Sequence, residues 1–198
     1  DLPALFILEG AAGEKGRRRP SRRREGPGLG RGTMTVYIRR LERSELPAAG
    51  DVIRAAFGTV AEAFGLTEEN CPTNGAFLRD GALFEEAAAG TIFYGAFEGG
   101  ELAGVAALKR KDGALFYLEK LAVLPHARRR GLGRALVEHC AQAARRAGGE
   151  RLSIGVMYEN RALVRWYEQA SFVRVGTRTF PHLPFVVCFM ERDLKESA

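Results

Sequence analysis

The chain predicts a mixed α/β domain with elements in the order β-α-α-β-β-β-α-β-α-β-β. Three observations carry this. Apolar residues switch between strand-like and helix-like spacing from Thr35 onward. Glycine turns at Gly99-Gly100 and Asp112-Gly113 punctuate the apolar runs of the front half, which is therefore expected to be largely antiparallel. A basic glycine turn, Arg128 to Arg134, joins an apolar run to an amphipathic helix.

Each element follows from local chemistry. Val36-Tyr37-Ile38-Arg39 reads as an opening strand. Ser44 is a candidate N-cap for a helix through about Phe57, because Leu46, Ala49, Ile53 and Phe57 fall at helical spacing. A second helix is expected from Asn74 to Ala89. The runs 91–97 and 102–109 form a hairpin about Glu98-Gly99-Gly100-Glu101, and Asp112-Gly113 turns into a strand over 114–123. Leu132, Leu136, Cys140 and Ala143 or Ala144 share one face of the next helix, which Gly148-Gly149 ends. A strand over 151–157, a helix over 160–169 and strands over 172–178 and 185–192 complete the order.

Composition narrows the class. A chain of 198 residues that is 46% hydrophobic can bury one real core. No apolar run approaches the ~20 residues of a membrane span, so no membrane partner is expected. Cys71, Cys140 and Cys188 are far apart and form no CxxC pair, so no metal site or disulfide framework is expected. Reduced thiols fit a cytoplasmic protein. Residues 1–33 carry eight basic against four acidic residues, which accounts for most of the net charge of +6. The stretch 10–33 of this leader, dominated by Gly, Arg, Pro and Glu, has almost no bulky apolar residues, and the leader is expected to be disordered. Met34 stands where the composition changes, so the leader reads as an upstream extension that need not be native, and the domain as 34–198. Without aromatic interleaving, the arginine run is not expected to bind nucleic acid.

The turn at Arg128-Arg129-Arg130-Gly131-Leu132-Gly133-Arg134 carries the chemistry. A glycine turn that opens a helix exposes backbone N–H groups at the positive end of the helix dipole, which favours a polyphosphate. A dinucleotide fingerprint requires a third glycine where Leu136 stands, and the Gly-Lys-Ser/Thr of a nucleotide P-loop is absent.

What remains, Arg128-x-x-Gly131-x-Gly133, resembles the acyl-CoA-binding motif of the GNAT superfamily of N-acetyltransferases. A second match lies in Asn160 to Phe172, where the family shows Asn-x-x-Ala, then Tyr, then Gly-Phe. Here Ser171 replaces the usual glycine, a departure that implies backbone strain at the end of the helix. The resemblance covers residues 35–193. It implies the GNAT acyl-CoA N-acyltransferase fold and transfer of an acetyl group from acetyl-CoA to a primary amine. A small-molecule acceptor and direct transfer in a ternary complex are expected. A protein or peptide N-acetyltransferase and a non-catalytic acyl-CoA-binding module are the alternatives.

The same resemblance assigns roles. Leu121, Ala122 and Val123 offer backbone groups to the pantetheine arm, with the Val123 N–H expected to stabilise the oxyanion. The amides of Arg129, Arg130, Gly131, Leu132, Gly133 and Arg134 wrap the pyrophosphate, and the side chains of Arg128, Arg129, Arg130 and Arg134 complement its charge. At least one of the four is expected to be only a solvated basic side chain. Tyr167 is the expected general acid and Glu119 the expected general base. Strand alternation places Glu119, Leu121 and Val123 on one face. Asn160 either caps its helix or reaches the cofactor. Phe77 and His182 are the expected acceptor contacts, no metal is expected, and the chain is a monomer or homodimer.

Overall fold

In a computed structural model, residues 36–195 are described. The arginine-rich leader and Met34 lie outside the described residues. The elements are β1 (Val36–Arg40), α1 (Leu46–Phe64), α2 (Ala82–Ala88), β2 (Ile92–Glu98), β3 (Glu101–Asp112), β4 (Leu115–Val123), α3 (Leu132–Arg146), β5 (Arg151–Met157), α4 (Arg161–Gln169), β6 (Val173–Thr179) and β7 (Val186–Asp193). Their order is the expected one. The strands form a single sheet, β1-β2-β3-β4-β5-β7-β6, antiparallel at every pairing except β4 with β5. The β2–β3 hairpin turns at Gly99 and Gly100, both at positive φ as a type I′ turn requires.

Two helix boundaries differ from the sequence reading, each for a local reason. Ser44 does not cap α1. It lies inside a 3-10 turn, Arg43–Glu45, where the Glu42 amide donates to Glu45 Oε2 at 2.8 Å. α1 then runs to Phe64 and ends at Gly65, whose φ of +63° gives the left-handed cap. The expected second helix splits. Asn74 Oδ1 accepts from the Ala76 amide at 2.9 Å and caps a single 3-10 turn, Gly75–Phe77. The chain then extends at Leu78, and Gly81, at φ +84°, restarts it as the short α2. Ser171 stands at φ +66°, so the strain expected from the missing glycine is present.

α3 buries Leu132, Leu136, Val137, Cys140, Ala141 and Ala144. Leu136 packs beside Val123 over Gly104, where a β-carbon would already come within 3.1 Å of the Leu136 side chain. Burying a leucine of this kind contributes about 1.5–3 kcal/mol. Among the described residues, no helix is long and apolar enough to cross a membrane.

β4 is irregular along both of its edges. It pairs with β5 only from Leu115 to Tyr117, so the second half of β4 presents an unpaired edge towards β5. On its other edge β4 carries a bulge. Ala107 faces Glu119 and Val105 faces Ala122, so Lys120 and Leu121 together oppose Ala106. Lys120, at φ +50°, is the left-handed residue of that bulge.

Candidate active site

The bulge corrects the expected alternation. Register places Glu119 on the face of Ala122, and Val123 on the opposite face with Leu136 of α3. One strand therefore serves two sides. Its backbone edge is open towards β5, and Glu119 and Lys120 belong to the side of α1 and α2.

On the cofactor side, the Leu124 amide donates to Ala103 O of β3 at 2.9 Å. Amide direction alternates along a strand, so the Val123 N–H points to the unpaired edge facing β5. The side chains of Leu121, Ala122 and Val123 are buried, which leaves their backbone as the usable surface. The turn after β4 is wound by two left-handed residues, Arg129 at φ +61° and Gly131 at φ +86°. Such a turn makes a concavity of N–H groups suited to an anion. Gly131 is the N-cap of α3 and no side chain caps this helix, so the first-turn amides of Leu132, Gly133 and Arg134 stay free of a capping partner.

The four arginines divide. Arg128 is turned inward: Nε donates to Val123 O at 3.1 Å, and Nη2 to Ala56 O and Thr59 Oγ1 at 2.9 Å each. It clamps β4 to α1. Arg130 pairs with Glu98 at 2.6 Å and donates to His126 O, and Arg134 donates to Gln169 O at the end of α4. Arg129 is exposed, and its guanidinium has no protein partner among the described residues.

Asn160 caps α4, its Oδ1 accepting from the Leu163 amide at 3.1 Å. Tyr167 is fully buried in α4 and meets Trp166 and Phe172 edge-on, with ring centroids 4.8 and 5.4 Å apart.

On the acceptor side, Glu119 is 2% exposed and its Oε1 has no hydrogen-bond partner among the described residues. Burial pushes its carboxyl above the usual range. Nearby Glu86 adds to the rise, and Lys120 and Lys109 oppose it. Lys120 Nζ lies 2.8 Å from Glu86 Oε2 of α2, an ion pair whose angle falls outside hydrogen-bonding geometry. Beside this pair opens a cavity of about 360 Å³, lined by Phe57, Asn74, Gly75, Phe77, Glu86 and Lys120 among others. Phe77 is therefore on the cavity wall. His182 is not: it is exposed on the β6–β7 connection, 5.9 Å from the Phe180 ring. Glu86 and Lys120 are not marked as site residues by the sequence. They carry no motif, and only the bulge brings Lys120 to α2.

Comparison with known proteins places the fold. No curated protein is similar enough to match. Among solved structures, yncA from Salmonella typhimurium, determined with acetyl-CoA, is 20% identical with a TM-score of 0.61, covering 83% of this chain and 96% of its own. The ribosomal-protein-S18-alanine N-acetyltransferase from Escherichia coli is 22% identical with a TM-score of 0.64, covering 83% and 97%. The paia N-acetyltransferase from Thermoplasma acidophilum, in complex with coenzyme A, is 19% identical with a TM-score of 0.64, covering 81% and 99%. These likenesses show the fold. The model of the acetyltransferase (GNAT) family matches residues 61–172, more than half of the chain, and with them both sides of β4. The chain thus belongs to the GNAT family of acetyltransferases.

Proposed function

We propose that this chain transfers an acetyl group from acetyl-CoA to the primary amine of a small molecule, directly, in a ternary complex. The observation that carries the reading is Glu119, a buried carboxylate with an unpartnered oxygen, on the strand whose open edge and following turn are shaped for an acyl-CoA. The CoA complexes of similarly folded proteins support the choice of cosubstrate.

The free amides of Leu132, Gly133 and Arg134 and the Arg129 guanidinium hold the pyrophosphate. The edge at Leu121–Val123 aligns the pantetheine arm, and the Val123 N–H opposes the charge that builds on the thioester carbonyl oxygen. Glu119 takes a proton from the amine as its nitrogen forms the new C–N bond. Tyr167 gives a proton to the sulfur as the C–S bond breaks, so the products are the amide and free CoA thiol. Cys140 is fully buried with its thiol pushed well up by desolvation, and burial also raises Cys71 and Cys188. Weakly acidic, buried thiols support direct transfer over an acetyl-cysteine route. Three free cysteines also suit a cytoplasmic protein.

Thiol release from acetyl-CoA across a panel of amines tests the reading. Tyr167→Phe and Glu119→Gln should each cut turnover while acetyl-CoA still binds. Binding without acetylation of any amine, or full activity in both variants, would refute it.

A further inference from the structure

We propose that the acceptor is a zwitterion, an α-amino acid with an apolar side chain, whose carboxylate is held by Lys120 and the Asn74 amide while its amine faces Glu119. This rests on the N-acetyltransferase reading and narrows its substrate class.

The argument begins with Asn74, which is 1% exposed. Its Oδ1 is committed to the Ala76 amide, which fixes the orientation of the side-chain amide. Its Nδ2 has no partner among the described residues, and Asn74 lines the cavity. A buried donor without an acceptor is costly, so an oxygen of the ligand is the natural partner. Lys120, whose side chain is 7% exposed, lines the same cavity. It is an ammonium with three donors, one of which faces Glu86. Nδ2 and Nζ are therefore two donors on one cavity, matching the two oxygens of a carboxylate.

Charge then selects the ligand. Glu86 balances Lys120, and Arg79, the third charged residue of the lining, pairs with Glu85 at 3.2 Å, so the lining is close to neutral and favours a ligand that is itself neutral overall. A polyamine would meet the Lys120 ammonium, and a dicarboxylate would meet Glu86. Phe57 and Phe77 give the cavity apolar walls, which take an apolar side chain, and its size is that of an ordinary small-molecule site. Glu119 does not itself line the cavity; it precedes Lys120 in β4, and its carboxyl feels the charges of both Glu86 and Lys120 on the cavity wall. An amine lacking the carboxylate leaves Asn74 Nδ2 without an acceptor and Lys120 with Glu86 alone, and sites built to bind a polar group reject analogues without it strongly.

The test compares kcat/KM for phenylalanine and leucine with phenylalaninamide, phenethylamine and 3-methylbutylamine. The amino acids should lead their neutral or decarboxylated counterparts by at least tenfold. In Asn74→Asp, which keeps the capping oxygen and replaces the donor by a second oxygen, that ratio should fall at least tenfold. Lys120→Gln should lower it similarly, with thermal melting confirming that both variants fold. Equal or better acetylation of the amines, or of a peptide N-terminus, overturns the zwitterion while leaving amine acetylation in place. If no amine is acetylated, the N-acetyltransferase reading fails on its own. Calorimetric titration of the CoA-loaded protein with phenylalanine and phenethylamine then still decides the acceptor: tighter phenylalanine binding supports the site, and equal binding overturns it.

Discussion

The two sides of β4 are built in opposite ways. The side proposed for the cofactor is continuous in sequence: the strand edge at Leu121–Val123 runs into the turn at Arg128–Arg134, and backbone amides form its exposed polar surface. The acceptor side is assembled from Phe57 of α1, Asn74 and Phe77 of the connection, Glu86 of α2 and Lys120 of the bulge, and its chemistry lies in side chains. A backbone site tolerates side-chain change but not a change of φ. A side-chain site tolerates neither lost polar groups nor lost space. Under the proposed function, substitutions on the acceptor side should therefore change selectivity more than those on the cofactor side.

Glu119→Gln should give the largest effect. Loss of a general base lowers kcat by roughly 10²–10⁴-fold. The active form is the deprotonated carboxylate, and burial raises its pKa, so activity should fall on the acid side at a pH above the ordinary carboxylate range. That limb should vanish from the pH profile of the Gln variant. Stability should move the other way. A carboxyl with a raised folded pKa contributes stability below its unfolded pKa and loses it as pH rises through the folded one. Glu119→Gln should therefore melt higher than the parent at neutral pH, with the difference shrinking in acid. A variant that melts lower at neutral pH would show Glu119 to be a structural residue of the acceptor side.

The same contrast explains what was legible. Arg128 to Arg134 and Asn160 to Phe172 are contiguous, and their glycines and helix starts act locally, so the fold order and the glycine turn that opens α3 are legible in the sequence. Element ends were harder, because capping by Glu42–Glu45 and by Asn74 depends on which of several polar residues wins. The faces of β4 were hidden by the left-handed conformation at Lys120, which no glycine signals. Arg128 was misleading in a different way. Its guanidinium is spent on Val123, Ala56 and Thr59, and only tertiary structure brings α1 there. The cavity beside Lys120 joins residues that are distant in sequence, so spacing carries no trace of it.

A matched pair of glycine substitutions separates the two sides. Gly75→Ala places a methyl 2.7 Å from the Phe57 ring and 3.1 Å from Ile53, on the cavity wall. Overpacking of this kind costs about 1–3 kcal/mol, so the melting temperature should fall. KM for the amine should rise while KM for acetyl-CoA holds. Gly131→Ala meets no atom within 4 Å, yet its φ of +86° is strained for any β-carbon. That strain is about 1–2 kcal/mol, or roughly tenfold, and should raise KM for acetyl-CoA with the amine KM unchanged. Steady-state kinetics with each substrate varied in turn would show it. Crossed effects, with Gly75→Ala weakening acetyl-CoA or Gly131→Ala weakening the amine, would mean that the two surfaces are one coupled site.

The smallest effect belongs to Arg129. Of the four arginines in the turn, it alone has a guanidinium without a protein partner among the described residues, whereas Arg128, Arg130 and Arg134 are held by carbonyls or by Glu98. An exposed charge interaction is worth about 0.2–1 kcal/mol and is screened by salt. Arg129→Ala should therefore raise KM for acetyl-CoA only about two- to fivefold, and added salt should close the gap between variant and parent. The melting temperature should not fall, because no internal bond is lost and the left-handed residue stays non-glycine. A Gly substitution at the same position would relax that backbone too, so Ala isolates the charge. An unchanged KM at low salt would leave the pyrophosphate to the α3 amides alone, making the cofactor side a purely backbone site.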